Sequence, residues 1–292
     1  MRKHTETPRP EIPVRKPRIQ FKPERTRRWH RNSITTLMPH ALSPLFPEGE
    51  RFFIRSVLAY RDQITDPQLQ QEIRQFVAQE AVHTAEHLNY DKASNTHYDM
   101  AAMEAMTKRV LDNVSKLLTL VDGQLGFDKR RIELAITVGL EHFTALLGEQ
   151  VLKYPETFGG VDQEFAELWN WHAAEEIEHK AVAYDVYQAV GGRYLERVTI
   201  FGLATVGIYI AIVANLARMM KPDGALYEPR AWFEIFRYYF LDPGMMRKAA
   251  RGYADFYRPD FHPWDQDNRE LIQKFKDRFP RVEAAQSSGR AA

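Results

Sequence analysis

The chain of 292 residues contains no cysteine. That excludes disulfides, thiolate metal ligands and cysteine nucleophiles together, and leaves histidines and carboxylates to hold any metal. Such donors suit iron, manganese or zinc, not a cysteine-rich structural zinc. The basic N-terminal residues are followed by no apolar run, so they do not read as a secretory signal. A cytoplasmic location is therefore the expectation. No stretch alternates apolar and polar residues for long, which predicts an all-α fold. No glycine-rich nucleotide fingerprint is visible, so any electrons the reaction needs must come from an external donor.

What charge there is lies unevenly. The net charge is +1, yet residues 1–31 hold eleven Lys or Arg against three acids, among many prolines. Without basic periodicity, this arm reads as a solvated segment lying extended over the domain and not as a nucleic-acid contact. The predicted organisation is a basic, Pro-rich arm over 1–42, a helical bundle over 43–192, an apolar helix with a C-terminal helical extension over 193–282, and a disordered tail over 283–292.

Within the bundle region, Ser43-Pro-Leu-Phe-Pro-Glu-Gly-Glu50 feeds a helix on which Glu50, Phe53, Val57 and Tyr60 recur at helical spacing. Asp66-Pro67 is an N-cap followed by proline at the first helical position, starting a helix that runs to about Asp91. Further helices are expected over about 98–121 and 128–154. One long helix should then follow the Gly159-Gly160 break and reach about Val190, where Gly191-Gly192 closes it. Helices near 230–240 and 243–257 and an amphipathic C-terminal helix complete the chain. Tyr60, Tyr184 and His262 are expected to be structural.

Two of these helices repeat one pattern: Glu80-x-x-His83 and Glu176-x-x-His179. Residues three apart share a helix face, so each pair points a carboxylate and an imidazole the same way. Glu-x-x-His from two helices plus a lone Glu from each of two others is the ligand set of carboxylate-bridged di-metal bundles. Glu50 and Glu80 lie about fifteen and fourteen residues either side of the turn at Thr65-Asp66, so at ~1.5 Å per residue they are level in an antiparallel hairpin. Glu141 and Glu176 are level in the same sense about a turn near 158–161. The predicted ligands are therefore Glu50, Glu80, His83, Glu141, Glu176 and His179, holding two metal ions. His87, His172 and Glu175 are candidates for extra ligands or for groups that orient the ligands, and Glu149 competes with Glu141.

Val198 to Ala217 is twenty residues without a charge, bracketed by Arg193 and Arg197 on one side and Arg218 and Lys221 on the other. That length just crosses a bilayer. The favoured alternative is a helix buried against the bundle or against a second copy of the chain. Association with the inner face of a membrane, or a homodimer, stays open.

Phe46-Pro-Glu-Gly-Glu50-Arg-Phe-Phe53, Phe76-x-x-Gln79-Glu80-x-x-His83-x-x-x-His87, Trp171-His172-x-x-Glu175-Glu176-x-x-His179-Lys180 and Phe261-His-Pro-Trp264 together resemble the bacterial family of predicted metal-dependent hydrolases. The resemblance covers about residues 10–280, and the motif pattern is also similar to the ferritin-like di-iron oxygenases and oxidases. It implies a ferritin-like four-helix bundle with added C-terminal helices and a metal site at the six residues above. Between the two chemistries, glutamates that can change binding mode as iron changes oxidation state suit O₂ reduction. An apolar setting, with no evident base, adds to that expectation. The expected function is a di-iron or Mn/Fe oxidoreductase acting on a lipophilic small molecule. Metal-dependent hydrolysis by a two-metal-activated water is the alternative, and a non-enzymatic metal-binding role is third.

Overall fold

The computed structural model describes residues 9–25, 33–124, 127–155, 161–222 and 224–284. Among these there is no strand, as the lack of alternation predicts. Four helices frame the interior: α2 (Phe46–Leu58), α3 (Pro67–Ser94), α5 (Lys129–Lys153) and α6 (Gln163–His179). α2 pairs with α3 and α5 with α6, and the two hairpins meet through α2 against α5 and α3 against α6. α1 (Ser33–Leu42) precedes this frame, and α4 (Met100–Val121) leans on α2.

Helix starts follow the sequence closely. Asp66 caps α3 by accepting from the Gln68 amide at 3.0 Å, with Pro67 next, and Asp128 caps α5 by accepting from the Arg131 amide at 3.2 Å. A cap of this kind stabilises a helix by roughly 1 kcal/mol. One demanding contact is between α5 and α6. A Cβ on Gly148 would sit 2.8 Å from the Ala173 carbonyl oxygen, so only glycine lets the two backbones come this close.

Three expectations need correction. The long helix over 161–190 is two helices: α6 stops at His179 and α7 (Val182–Ala189) begins after a turn at Lys180-Ala181. The break turns the Lys180 ammonium toward the C-terminal segment, where it donates to the Gln266 carbonyl at 2.6 Å and the Asn268 side chain at 2.9 Å. Helical periodicity runs through such a turn unchanged, which is why it was invisible. The arm, in turn, is not solvated over its described part: Ile12, Arg15 and Ile19 are buried, and Arg15 finds carboxylates there. Residues 33–42 of the arm are helical.

α8 (Tyr194–Met220) carries the apolar run. Its Phe201 packs on α5, 3.1 Å from where a Gly139 Cβ would be, and Asn215 donates to the Ala41 carbonyl of α1 at 2.9 Å. Only one side is covered, since Leu203, Val206, Ile210 and Val213 are exposed. By length and composition α8 is able to cross a membrane. Beyond it come α9 (Pro229–Phe236), α10 (Met245–Asp255), α11 (Arg269–Arg278) and α12 (Pro280–Ala284). The expected turn near 158–161 falls, except for Val161, outside the described residues, as does the tail from 285.

Candidate metal centre

Each of the four framing helices sends acidic or imidazole groups into one dry volume. Glu50 comes from α2, Glu80 and His83 from α3, Glu141 from α5, and Glu176 and His179 from α6; all six are buried. His179 Nε2 lies 3.2 Å from Glu80 Oε1, 3.2 Å from Glu141 Oε2 and 3.7 Å from Glu176 Oε2. His83 Nδ1 lies 3.7 Å from Glu80 Oε1 and 3.7 Å from Glu176 Oε1. The two glutamates of the repeated pattern thus face both imidazoles. Three sets offer ligand atoms within 4.8 Å of one another: Glu80/Glu141/His179, Glu80/His83/Glu176 and Glu50/His83/His172.

These contacts are close without being hydrogen bonds. Glu50 Oε1, both oxygens of Glu80, both of Glu141, His83 Nδ1 and His179 Nε2 have no hydrogen-bond partner among the described residues. Buried polar groups left in that state are costly, by about 1–3 kcal/mol each and more for charged groups. The atoms on the outer side of the same groups are held. His83 Nε2 donates to Glu175 at 3.1 Å and His179 Nδ1 donates to Gln79 Oε1 at 2.8 Å, so in the neutral rings, the form that binds a cation, the lone pairs face inward. Glu50 accepts from Thr84 at 2.9 Å, and Glu176 accepts from Thr144. Inward atoms unsatisfied and outward atoms tied down is the arrangement that cations complete. Four carboxylates and two imidazoles therefore fit two divalent ions of iron, manganese or zinc type.

Electrostatics agree. Burial pushes Glu50 and Glu80 well above the usual carboxylate range, aided by neighbouring glutamates, and lifts Glu141 to about 7. Glu176 is also opposed by burial, but His172 and His179 hold it well below that range. Burial acts to lower His179, yet Glu141 and Glu176 keep it well above an ordinary imidazole. His83 is held well down, first by burial and then by His172. Without cations, then, Glu50, Glu80 and His179 favour their protonated forms, while Glu176 stays ionised and His83 neutral.

The other named candidates separate cleanly. His172 belongs to the centre: its Nε2 is 2.8 Å from Glu176 Oε1, and its ring stacks on His83 with centroids 4.2 Å apart. His87 stands one step back, its Nε2 2.7 Å from His172 Nδ1. Glu175 orients His83. Glu149 is not brought in; it lies 3.7 Å from Lys153, partly exposed. Eight residues beyond Glu141 amounts to about 80° past two full turns, so it leaves the inward stripe.

Sequence reasoning missed the parts played by Arg15, Gln79, Glu178, Ser43 and Asp91. Arg15 bonds Glu175 at 3.0 Å and Glu178 at 2.8 and 2.7 Å, while Gln79 donates to Glu178 at 2.9 Å, so one guanidinium steadies the partners of both metal-facing histidines. The Arg15 pairs lie 160 and more residues apart and the Gln79 pair 99, and no local pattern announces them. Ser43 and Asp91 extend the histidine pair outward: Ser43 Oγ donates to Asp91 at 2.5 Å and so accepts from His87 Nδ1–H at 2.9 Å. A neutral His87 then accepts at Nε2 from His172 Nδ1–H. His172 Nε2 is itself hydrogen-bonded to Glu176 Oε1 at 2.8 Å.

One side of the centre opens on a cavity. Its walls are apolar, including Leu42, Phe165, Trp169 and Met246, and it ends at Thr144, His172 and Glu176.

Comparison with curated proteins and with solved structures gives no match. A family model described as predicted metal-dependent hydrolase matches residues 13–267, which takes in every group named at the centre. The chain belongs to that family of predicted metal-dependent hydrolases.

Proposed function

We propose that the chain is a two-metal hydrolase in which Glu50, Glu80, His83, Glu141, Glu176 and His179 would hold the ions. Two such cations supply Lewis acidity and bring the pKa of a bound water toward neutral. The rest of the reaction falls to the chain's own residues.

The observation that carries this reading is His172. It stands at the inner end of the cavity with Nε2 toward Glu176 and Nδ1 toward His87. Because Nε2 is hydrogen-bonded to Glu176, the base is the His172–Glu176 pair, which takes up one proton between its two members, while the run through His87, Ser43 and Asp91 holds the imidazole in place. This supplies the base whose absence from the sequence argued against hydrolysis. Positioned general bases of this kind contribute typically 10²–10⁴-fold. The apolar walls keep bulk water from the reacting group, which strengthens every charge interaction inside. The family description points the same way.

A second reading, oxidation with O₂, is favoured by one feature: Glu80 and Glu176 each face both metal-facing nitrogens. Carboxylates so placed would tolerate a change in the charge of the ions they help to hold. It would require iron or manganese and an external electron donor.

One experiment separates the two. Zinc- or manganese-loaded protein, kept free of O₂, should hydrolyse an ester or amide with a rate that rises as pH approaches neutral. Ferrous protein that consumes O₂, together with zinc protein that turns nothing over, would replace hydrolysis by the second reading. Activity in neither would leave a metal-binding role.

A further inference from the structure

We infer that the cavity ending at Glu176 binds a neutral, single-chain amphiphile, with its chain along the apolar walls and its polar end against His172 and Glu176. The assignment depends on the hydrolase reading only for what happens to that polar end.

The walls set the chain. Phe165 and Trp169 of α6, Leu42 of α1 and Met246 of α10 line the space, and Met245 adds a second thioether. Methionines are unbranched and adapt to a flexible chain, and aromatic faces offer large apolar contact. Among the described lining residues no Lys or Arg occurs, and Glu176 is the one charged group. A phosphate, sulfate or carboxylate head would therefore enter an apolar space with no cation from the walls to meet it.

The centre does not supply the missing charge. At its inner end the cavity meets the Glu176 carboxylate, which opposes an anionic head. A neutral head is different. A hydroxyl, ester or amide can hydrogen-bond at the inner end, where His172 and Glu176 stand. The chain then buries its methylenes along the walls. Burial of each methylene is the driving force, and its size predicts how affinity scales with length.

The test uses the full-length protein, zinc-loaded and metal-free, and calorimetric titration with 1-hexanol, 1-octanol, 1-decanol and decanoate. Affinity for the alcohols should rise roughly fourfold per methylene until the cavity is filled. Decanoate at pH 8 should bind at least tenfold more weakly than 1-decanol. Met246→Trp and Leu147→Trp, the latter at a lining position on α5, should each weaken 1-decanol at least tenfold while metal content and helical circular dichroism stay unchanged. Either variant suffices if the other does not fold. Affinity independent of length, decanoate binding as tightly as decanol, or folded variants binding as the parent does would each overturn the assignment. Alcohol binding without hydrolysis of any neutral ester would sink the hydrolase reading and leave the cavity assignment standing. Hydrolysis of short esters without alcohol binding would do the reverse.

Discussion

Arg15 donates to both carboxylate oxygens of Glu178, at 2.8 and 2.7 Å, and neither side chain is exposed to solvent. A residue of the N-terminal arm thus sits beneath a helix of the metal bundle, where it also meets Glu175. Planar, bidentate pairing of this kind is what lets a guanidinium be buried at all. Removing one partner leaves the other charged and dry. Arg15→Met should therefore cost roughly 3–5 kcal/mol in urea unfolding. Adding Glu178→Met should cost at least ~1 kcal/mol less than the sum of the two single changes. Additive losses would show that the pair is not coupled.

The ligand set makes a contrast between Glu80 on α3 and Glu149 on α5. Glu80→Ala removes a carboxylate that faces both histidines, and metal content should drop below about one ion per chain. Glu149→Ala alters a residue that faces Lys153, and metal content should stay at that of the parent. Elemental analysis after loading and desalting decides. Equal loss in both would move the centre along α5.

Metal-free protein should respond to pH in a direction the buried glutamates dictate. Burial holds Glu50 and Glu80 well above the usual range and Glu141 at about 7, so each binds its proton more tightly folded than unfolded. Their contribution to stability is whole below the unfolded carboxylate value, about 4.3. It fades as pH climbs through the folded values. The urea midpoint should thus fall between about pH 5 and pH 8 in metal-free protein and stay nearly level once cations replace the protons. A metal-free midpoint that climbs over this window would contradict the scheme.

Asp91 ends the hydrogen-bonded run from Glu176 through His172, His87 and Ser43. It touches no metal ligand, so Asp91→Asn should keep the full complement of metal. Turnover should fall at least tenfold if the run holds the His172 imidazole in place. Unchanged turnover with the metals in place would assign the run to packing alone.

At the closest point of α5 and α6, Gly148→Ala pits a methyl group against the Ala173 carbonyl. Overpacking of this sort costs typically 1–3 kcal/mol. Ala173 is three residues before Glu176, so metal affinity should weaken along with stability. An alanine variant with parental melting temperature and metal affinity would mean that the helices part freely.

The six candidate ligands were legible because helical geometry is local. Glu80 and His83 share a face by spacing alone, Asp66-Pro67 marks where their helix begins, and equal distances from a turn bring Glu50 level with Glu80. Absent alternation settled the helical class in the same way. Other features could only be decided by tertiary structure, because they join residues with no periodic relation. Arg15 reaches Glu178 across 163 positions of sequence. The turn at Lys180 is made by contacts with Gln266 and Asn268, and no local signal opposes a continuous helix there. His172 could be ranked as a neighbour of the metal from the sequence. Its place between Glu176 and His87, and His87's contact with Ser43, follow from the packing of α6 against α3 and the turn that starts at Ser43. Local spacing determines which groups share a face; only packing determines which atom of each group is left unpartnered, and the chemistry depends on that atom.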